Sequence, residues 1–403
     1  MLIEASGSLG GMATIGLVPA WCPFSDKEKI IYKSIAEEIF NLAKEGVPFV
    51  DPKRLDWVPI NKEQFKLVCD KLVMNSNVDV LFNTFVTGVD LTDERNIDCL
   101  YTASKKGLEA YKAKVYVDAS ADADLVYFAG GSFLKNEGNQ SATHCFILSN
   151  IDIEAYKAYG IMHNDNKNCF IHDIVKDPKY PNIDSSHFCN NIIGPGTLGF
   201  NAGHILEVNP LDPKSISKAL MEGRIKAHEY SMALKEYYPQ AFKDNYLVET
   251  APALGIRDSR RIEGDYVLTV EDYEARRTFE DEIGRNSYYI DIHRTVKEME
   301  LEKEGLIPKP YEEVHRYGKG ESHGIPYRSL VPKSLDNVVV CGRSISTDRA
   351  VQGSVRVMPT CFVTGEAAGL AAAVALENES INMHKIDVEK LRKILIERGA
   401  YIK

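Results

Sequence analysis

The sequence has no Cys-x-x-Cys pair: its cysteines stand apart at Cys22, Cys69, Cys99, Cys145, Cys169, Cys189, Cys341 and Cys361. That spacing removes support for zinc ribbons, iron–sulfur clusters and dithiol redox chemistry, and scattered free thiols fit a cytoplasmic protein. Basic runs are absent too. With Lys+Arg 48 against Asp+Glu 58 the net charge is -10, which argues against a nucleic-acid partner. No stretch approaches the ~18 consecutive apolar residues of a spanning helix, so no membrane partner is expected. The opening MLIEASGSLGG lacks the basic and apolar regions of a secretory signal. Internal repeats and low-complexity tracts are missing as well.

What remains is a 403-residue chain, 44% hydrophobic and 26% charged, long enough for two globular domains. Leu2-Ile3-Glu4 reads as the tail of a buried strand ending in an acid, followed by the small-residue loop SGSLGGMAT. Helical periodicity covers residues 27–44, with Asp26 as cap, and residues 62–75. Strands are expected over 78–82, 86–91, 98–104 and 113–118. From about 141 to 322 the texture changes, with more aromatic and charged residues and a helix from Asp212-Pro213 to about Tyr237, whose apolar side carries Leu220, Ile225, Tyr230 and Leu234. The α/β rhythm then resumes and closes on a helix from Asp387 to Gly399. This predicts one α/β domain from both ends of the chain (1–140 and 330–403) with an inserted α+β substrate domain (141–329). The crevice between them is the expected site.

Residues 336–375 are the most telling: strand, Gly342-Arg343 turn, loop, then a small-residue helix expected to open near Thr364. A helix N-terminus offers free N–H groups and partial positive charge. Gly365, Ala367, Ala368, Gly369 and Ala371 leave the backbone open to a large planar group, though a tightly packed helix with no ligand fits the same pattern. The literal G-x-G-x-x-G at Gly194–Gly199 is rejected as a phosphate cradle: Pro195 removes an N–H, and the next residues, FNAGHILEV, alternate like a strand. It reads as a turn. Arg257, Arg260 and Arg261 could fork onto an anionic substrate or be neutralised by Asp258, Glu263 and Asp265. His323, Tyr327 and Arg328 offer proton-transfer and anchoring groups, or merely a linker. His293, alternating with Asp291, reads as catalytic or as a satisfied core pair. The group His163, Asp165, Cys169 and His172 sits in a polar loop, and no metal is expected.

Taken in order, the blocks LIEASGSLGGMATIGLV, VYVDASADADLVYFAG, PALGIRDSRRIEGDYVLT, IPYRSLVPKSLDNVVVCGRSIS and GSVRVMPTCFVTGEAAGLAAA resemble the FAD-dependent oxidoreductases whose flavin domain is of the glutathione-reductase/fumarate-reductase type. The resemblance implies a Rossmann-like α/β domain with FAD as cofactor. It implies that Glu4 holds the adenosine ribose, that Gly10, Gly11 and Met12 pass the cofactor by backbone, and that Val86 meets adenine. Asp118, Ala119 and Asp122 would border the adenosine–pyrophosphate region, and Gly342 and Arg343 the pyrophosphate and ribityl chain. Ser354, Val355, Arg356, Val357 and Met358 would run along the flavin edge, with the helix at Thr364 aimed at the ring, where a reduced flavin carries negative charge. Two departures stand out: Ala121 where the family has glycine, and no counterpart before Glu4 of the strand that carries the family's G-x-G-x-x-G. The expectation is an upstream start or, as the alternative reading, a truncated or cofactor-free homologue. The leading reading is hydride transfer to or from a small polar or anionic organic substrate. A homo-oligomer or an electron-transfer partner is left open.

Overall fold

The structure, a computed structural model, describes residues 1–135, 138–306, 316–377 and 381–403. Short parallel pairs carry the dinucleotide-type part. Leu2–Ile3 lies beside Val80–Leu81, and Val338–Val340 pairs with Tyr116–Asp118 in the register Val338↔Tyr116 and Val340↔Asp118. The Val-Val-Val run is wholly buried, as a strand covered on both faces must be. A three-stranded antiparallel meander, Phe85–Asp93, Asn96–Ser104 and Gly107–Lys112, lies beside them. Its third strand escapes sequence reading because it is short and polar; the signal was Gly107, whose φ of 114° only glycine adopts freely.

The helix expected over 27–44 is confined to Ile35–Lys44. Asp26 does not cap it. Its Oδ1 accepts from the N–H groups of Glu28 and Lys29 in a local turn, and Lys27 and Ser34 take positive φ. Lys62–Asn75 forms as expected, with the Asn61 side chain accepting from Glu63 and Gln64 N–H. Pro213–Tyr237 begins on the Asp212 cap with proline in its first turn. It buries Ala227, Tyr230 and Leu234, while Ile225 faces out at 53% exposure, contrary to expectation.

The small-residue helix is Met358–Ala375, so it opens before Thr364, not at it. Pro359 sits in the first turn, where a missing N–H costs nothing. This helix is long and apolar enough to cross a membrane by length and composition, which corrects the expectation that no segment is. It packs instead against Ile35–Lys44, Val388–Glu397 and Glu282–Asn286 inside the protein.

Its core gathers Trp21, Phe24, Phe40 and Phe65 with Ile283, Ile325, Val363, Ala367 and Leu391. A second core lies between the four-stranded antiparallel sheet (order Phe188–Gly194, Thr197–Ala202, Phe146–Ser149, Tyr246–Thr250) and Pro213–Tyr237. Residues 141–329 therefore contribute to both cores: the sheet builds the second, whereas Leu268, Tyr273, Ile283 and Ile325 join the first.

Candidate functional site

The Val338–Val340 strand runs into the Gly342 turn, whose N–H donates to Thr364 Oγ1 at 3.1 Å. Thr364 Oγ1 donates onward to Thr360 O at 3.1 Å, so the turn is latched to the second turn of the helix. A Cβ added at Gly365 or Gly369 would meet no atom within 4 Å, and this helix face is bare. Gly11 is equally open, but Gly10 is not: at φ 99° its Cβ would lie 2.6 Å from Phe65. Met12 packs under Gly16. Glu4 Oε1 accepts from Ser6 N–H at 2.7 Å, and Val86 sits in its strand opposite Thr102.

Asp118 is buried. Its carboxylate accepts from Ser120 N and Oγ, Leu125 N and Val126 N, and burial raises its pKa despite those bonds. It builds the turn that leaves Ala119 exposed. Asp122 receives Arg343 Nη2 at 2.6 Å and the Ser259 hydroxyl. Arg343 Nε and Arg356 Nε are buried without a partner among the described residues. Val357 caps the helix with no side-chain acceptor, leaving the first-turn N–H groups available. Spare cationic donors beside a bare backbone fit the anionic and planar parts of FAD. Ser354 and Val355, in contrast, lie fully inside the Arg349–Val355 helix, where Ser354 Oγ accepts from Asn286 Nδ2 at 2.7 Å. They form no exposed edge.

A second constellation lies where the sheet meets this part. His187 precedes Phe188–Gly194 and His204 follows Thr197–Ala202, two strands joined by the Pro195-Gly196 turn with Phe188↔Ala202 at the open end. Gly203 N–H donates to His187 O at 2.8 Å, and the two imidazoles stack at 4.5 Å and 14°. His293 approaches edge-on, its Nδ1 2.9 Å from His204 Nε2 and its Nε2 3.4 Å from Asp291 Oδ1. Asp291 also accepts from Arg356 Nη2 and from the Tyr288 hydroxyl, both at 3.0 Å. Arg257 is buried beside them, its Nη1 donating to Ser141 O. Gln140 accepts from His293 N–H at 3.0 Å and donates to Gln352, which donates to Arg257 O at 2.8 Å.

Charge follows from this burial. Burial, then Arg257, brings His293 down to about 4 and His204 to about 2; burial likewise holds His187 well below its usual value. All three are neutral imidazoles at pH 7. Burial alone would raise Asp291, but the hydrogen bond from His293 and the charges of Arg356 and Arg257 outweigh it and hold it ionised. Burial, with Arg356 alongside, lowers Arg257 to about 10, still a cation at neutral pH. Two guanidiniums thus face one carboxylate.

Of the expected catalytic residues, only Arg257 and His293 meet here. Arg260 turns away to Asp124 and Asp122 O and stacks on Tyr127. His323 is buried against the Tyr317 hydroxyl, Tyr327 donates to Met383 O at 2.9 Å, and Arg328 pairs with Asp281 at 2.9 Å. The His163 loop is tied internally: His163 Nε2 lies 3.1 Å from Cys189 Sγ, His172 Nε2 3.0 Å from Asn164 O, and Cys169 is in the sheet core. His187 and His204 were not singled out from sequence. The available signal was the strand-like alternation on both sides of the Pro195-Gly196 turn, since a hairpin there brings its two flanking histidines together.

A family model described as FAD dependent oxidoreductase matches residues 1–395. No curated protein matches the chain. Among solved structures, a geranylgeranyl bacteriochlorophyll reductase-like protein from Thermoplasma acidophilum is 11% identical with TM-score 0.40, covering 86% of this chain and 62% of its own. The p-nitrophenol 4-monooxygenase of Pseudomonas putida DLL-E4 is 10% identical with TM-score 0.38, covering 98% and 73%. L-proline dehydrogenase from P. horikoshii is 14% identical with TM-score 0.33, covering 91% and 69%. The chain spans less than two thirds of the first of these.

Proposed function

Since the chain belongs to the FAD dependent oxidoreductase family, and is therefore an enzyme with FAD as cofactor, we propose that it oxidises or reduces a small organic anion held between Arg257 and Arg356. The observation that carries this reading is the charge excess at the histidine cluster. Arg356 pairs with Asp291 and the buried Arg257 acts on the same carboxylate through space, so an anionic group would complete the balance. Arg356 stands just before the Met358–Ala375 helix, which links this cluster to the glycine face where the cofactor would lie.

In this reading Gly11, Gly342, Arg343, Val357, Met358 and the Gly365 face hold FAD by backbone, free N–H groups and one guanidinium. When bound, FAD supplies a two-electron hydride acceptor or donor. Arg257 and Arg356 orient the substrate so that one C–H bond faces the cofactor, and the neutral cluster around His293 receives the proton released when that carbon becomes a carbonyl or imine. Asp291 stabilises the positive charge that then develops on the cluster. His323, Tyr327 and Arg328, whose groups are engaged in the core or in an ion pair, act in support of the fold.

Anaerobic mixing of the FAD-loaded protein with a panel of small hydroxy-, amino- and saturated carboxylates tests this directly. Bleaching of the flavin by a carboxylate, and loss of at least tenfold in that rate in Arg257→Met and Arg356→Met, is expected. Bleaching only by uncharged compounds, unaffected by either substitution, would sink the anionic assignment.

A further inference from the structure

We propose that His187, His204 and His293 bind one divalent transition metal of the zinc class. One ring nitrogen of each lies within 4.8 Å of the other two, all partly buried. The ring centroids are 4.5, 5.2 and 4.9 Å apart. Nitrogen ligands at ~2.0–2.1 Å from an ion put imidazole centroids about 3 Å from it, and three such rings on one face come within about 4.5–5 Å of each other. The cluster therefore has the size of a three-imidazole coordination face, and since the His187 and His204 rings stand nearly parallel, one of them turns about its Cβ–Cγ bond on binding to bring its lone pair onto the ion.

Two further observations point to a ligand. His187 Nδ1 is buried with no hydrogen-bond partner among the described residues, an unusual loss for a polar atom. The other two histidines have the outer partners that metal-bound imidazoles need. His293 turns Nε2 to Asp291 Oδ1, leaving Nδ1 with a lone pair facing the cluster. His204 turns Nδ1 to Ser185 Oγ at 3.1 Å, leaving Nε2 facing the same point. Those two facing nitrogens are 2.9 Å apart and need either one proton or one metal between them. Asp291 is itself oriented by Arg356 and Tyr288, so the carboxylate behind His293 is held in place.

The nearby guanidiniums of Arg257 and Arg356 oppose added positive charge. They select what fills the remaining coordination positions: hydroxide or an anionic oxygen donor rather than a neutral one. This deepens the proposed function and alters its proton step: with a metal bound, its hydroxide would be the proton acceptor in place of the imidazole nitrogens, which are then ligands. The metal itself does not rest on that reading, and its test uses no substrate.

The experiment is cobalt(II) and zinc(II) binding to the chelator-treated full-length protein. Bound metal is measured by elemental analysis and its ligands by X-ray absorption at the cobalt edge. Expected are one ion per chain, nitrogen ligands at about 2.0–2.1 Å, a raised melting temperature with zinc, and at least a hundredfold weaker binding in His187→Ala and in His204→Ala. His172→Ala, outside the cluster, should bind as wild type. No stoichiometric binding by the folded wild type, or binding that survives in a His187→Ala/His204→Ala double variant, would overturn the proposal. The first result would leave a proton-linked pair at His204 and His293; the second would place the metal elsewhere. If metal binds as expected while no carboxylate bleaches the flavin, only the substrate reading fails.

Discussion

Gly342 N–H donates to Thr364 Oγ1, and this one bond fixes the turn after Val338–Val340 to the second turn of the Met358–Ala375 helix. Strand tip and helix thereby move as one body. In Thr364→Val the Gly342 donor loses its partner in a tight site. The expected cost is about 1–3 kcal/mol of stability, together with weaker FAD retention, read as a lower urea midpoint and a lower flavin-to-protein absorbance ratio after gel filtration.

Gly365 separates packing from cofactor access. A Cβ there meets nothing within 4 Å, so Gly365→Ala should stabilise the helix by about 1 kcal/mol. Gly365→Leu should fold as well but fill the bare face. The expected outcome is an unchanged or higher melting temperature in the flavin-free protein, with FAD binding weakened at least tenfold. Equal FAD affinity in Gly365→Leu would mean that the cofactor does not use this face.

Glu282 and Arg285 form an ion pair with side chains 0% and 1% exposed, the arginine also held by Ser322 and Thr278. Removing one partner strands a buried charge. Arg285→Met should cost about 3–5 kcal/mol, measured by denaturant unfolding, whereas an exposed pair such as Lys106–Glu109 should contribute under about 1 kcal/mol.

His323 predicts a pH effect. Burial, then the nearby Arg285 and Arg276, lowers it from 6.5 to about 3, so the fold favours the neutral ring. A depressed folded value means that this contribution is complete above the unfolded pKa, near 6.5, and is lost as pH falls toward about 3. Over that window the unfolded chain takes up a proton that the folded chain refuses, a slope of up to about 1.4 kcal/mol per pH unit. His323→Gln should flatten the fall in unfolding free energy between those limits. A wild-type slope retained in the variant would assign the acid sensitivity to other groups.

Much of the α/β part is legible because it rests on local signals: an all-valine strand, a glycine turn and a run of alanines and glycines. The helix start was misplaced because Pro359 reads as a break when it is in fact the first turn. The helix over residues 27–34 failed because the Asp26 carboxylate bonds to nearby N–H groups as readily in a turn as at a cap. The histidine cluster was hardly legible at all. His293 drew notice through its alternation with Asp291, but its partners lie far off in sequence and only tertiary structure joins them. His323, Tyr327 and Arg328 looked functional because their chemistry is versatile; in the fold that same chemistry satisfies buried neighbours.

The hairpin that carries His187 and His204 works as a ruler. Phe188 lies opposite Ala202 and Gly203 N–H donates to His187 O, so plain alternation would turn His204 to the other face; the chain bends at Gly203, whose φ is 69°, and the His204 ring comes back over His187. Count sets which residues meet at the open end, and the glycine at 203 sets which way the second ring turns. The chemistry at the end of the hairpin is therefore encoded by its length and by one glycine bend rather than by the side chains along it, and a single deletion in either strand would erase a site that lies at neither strand's centre.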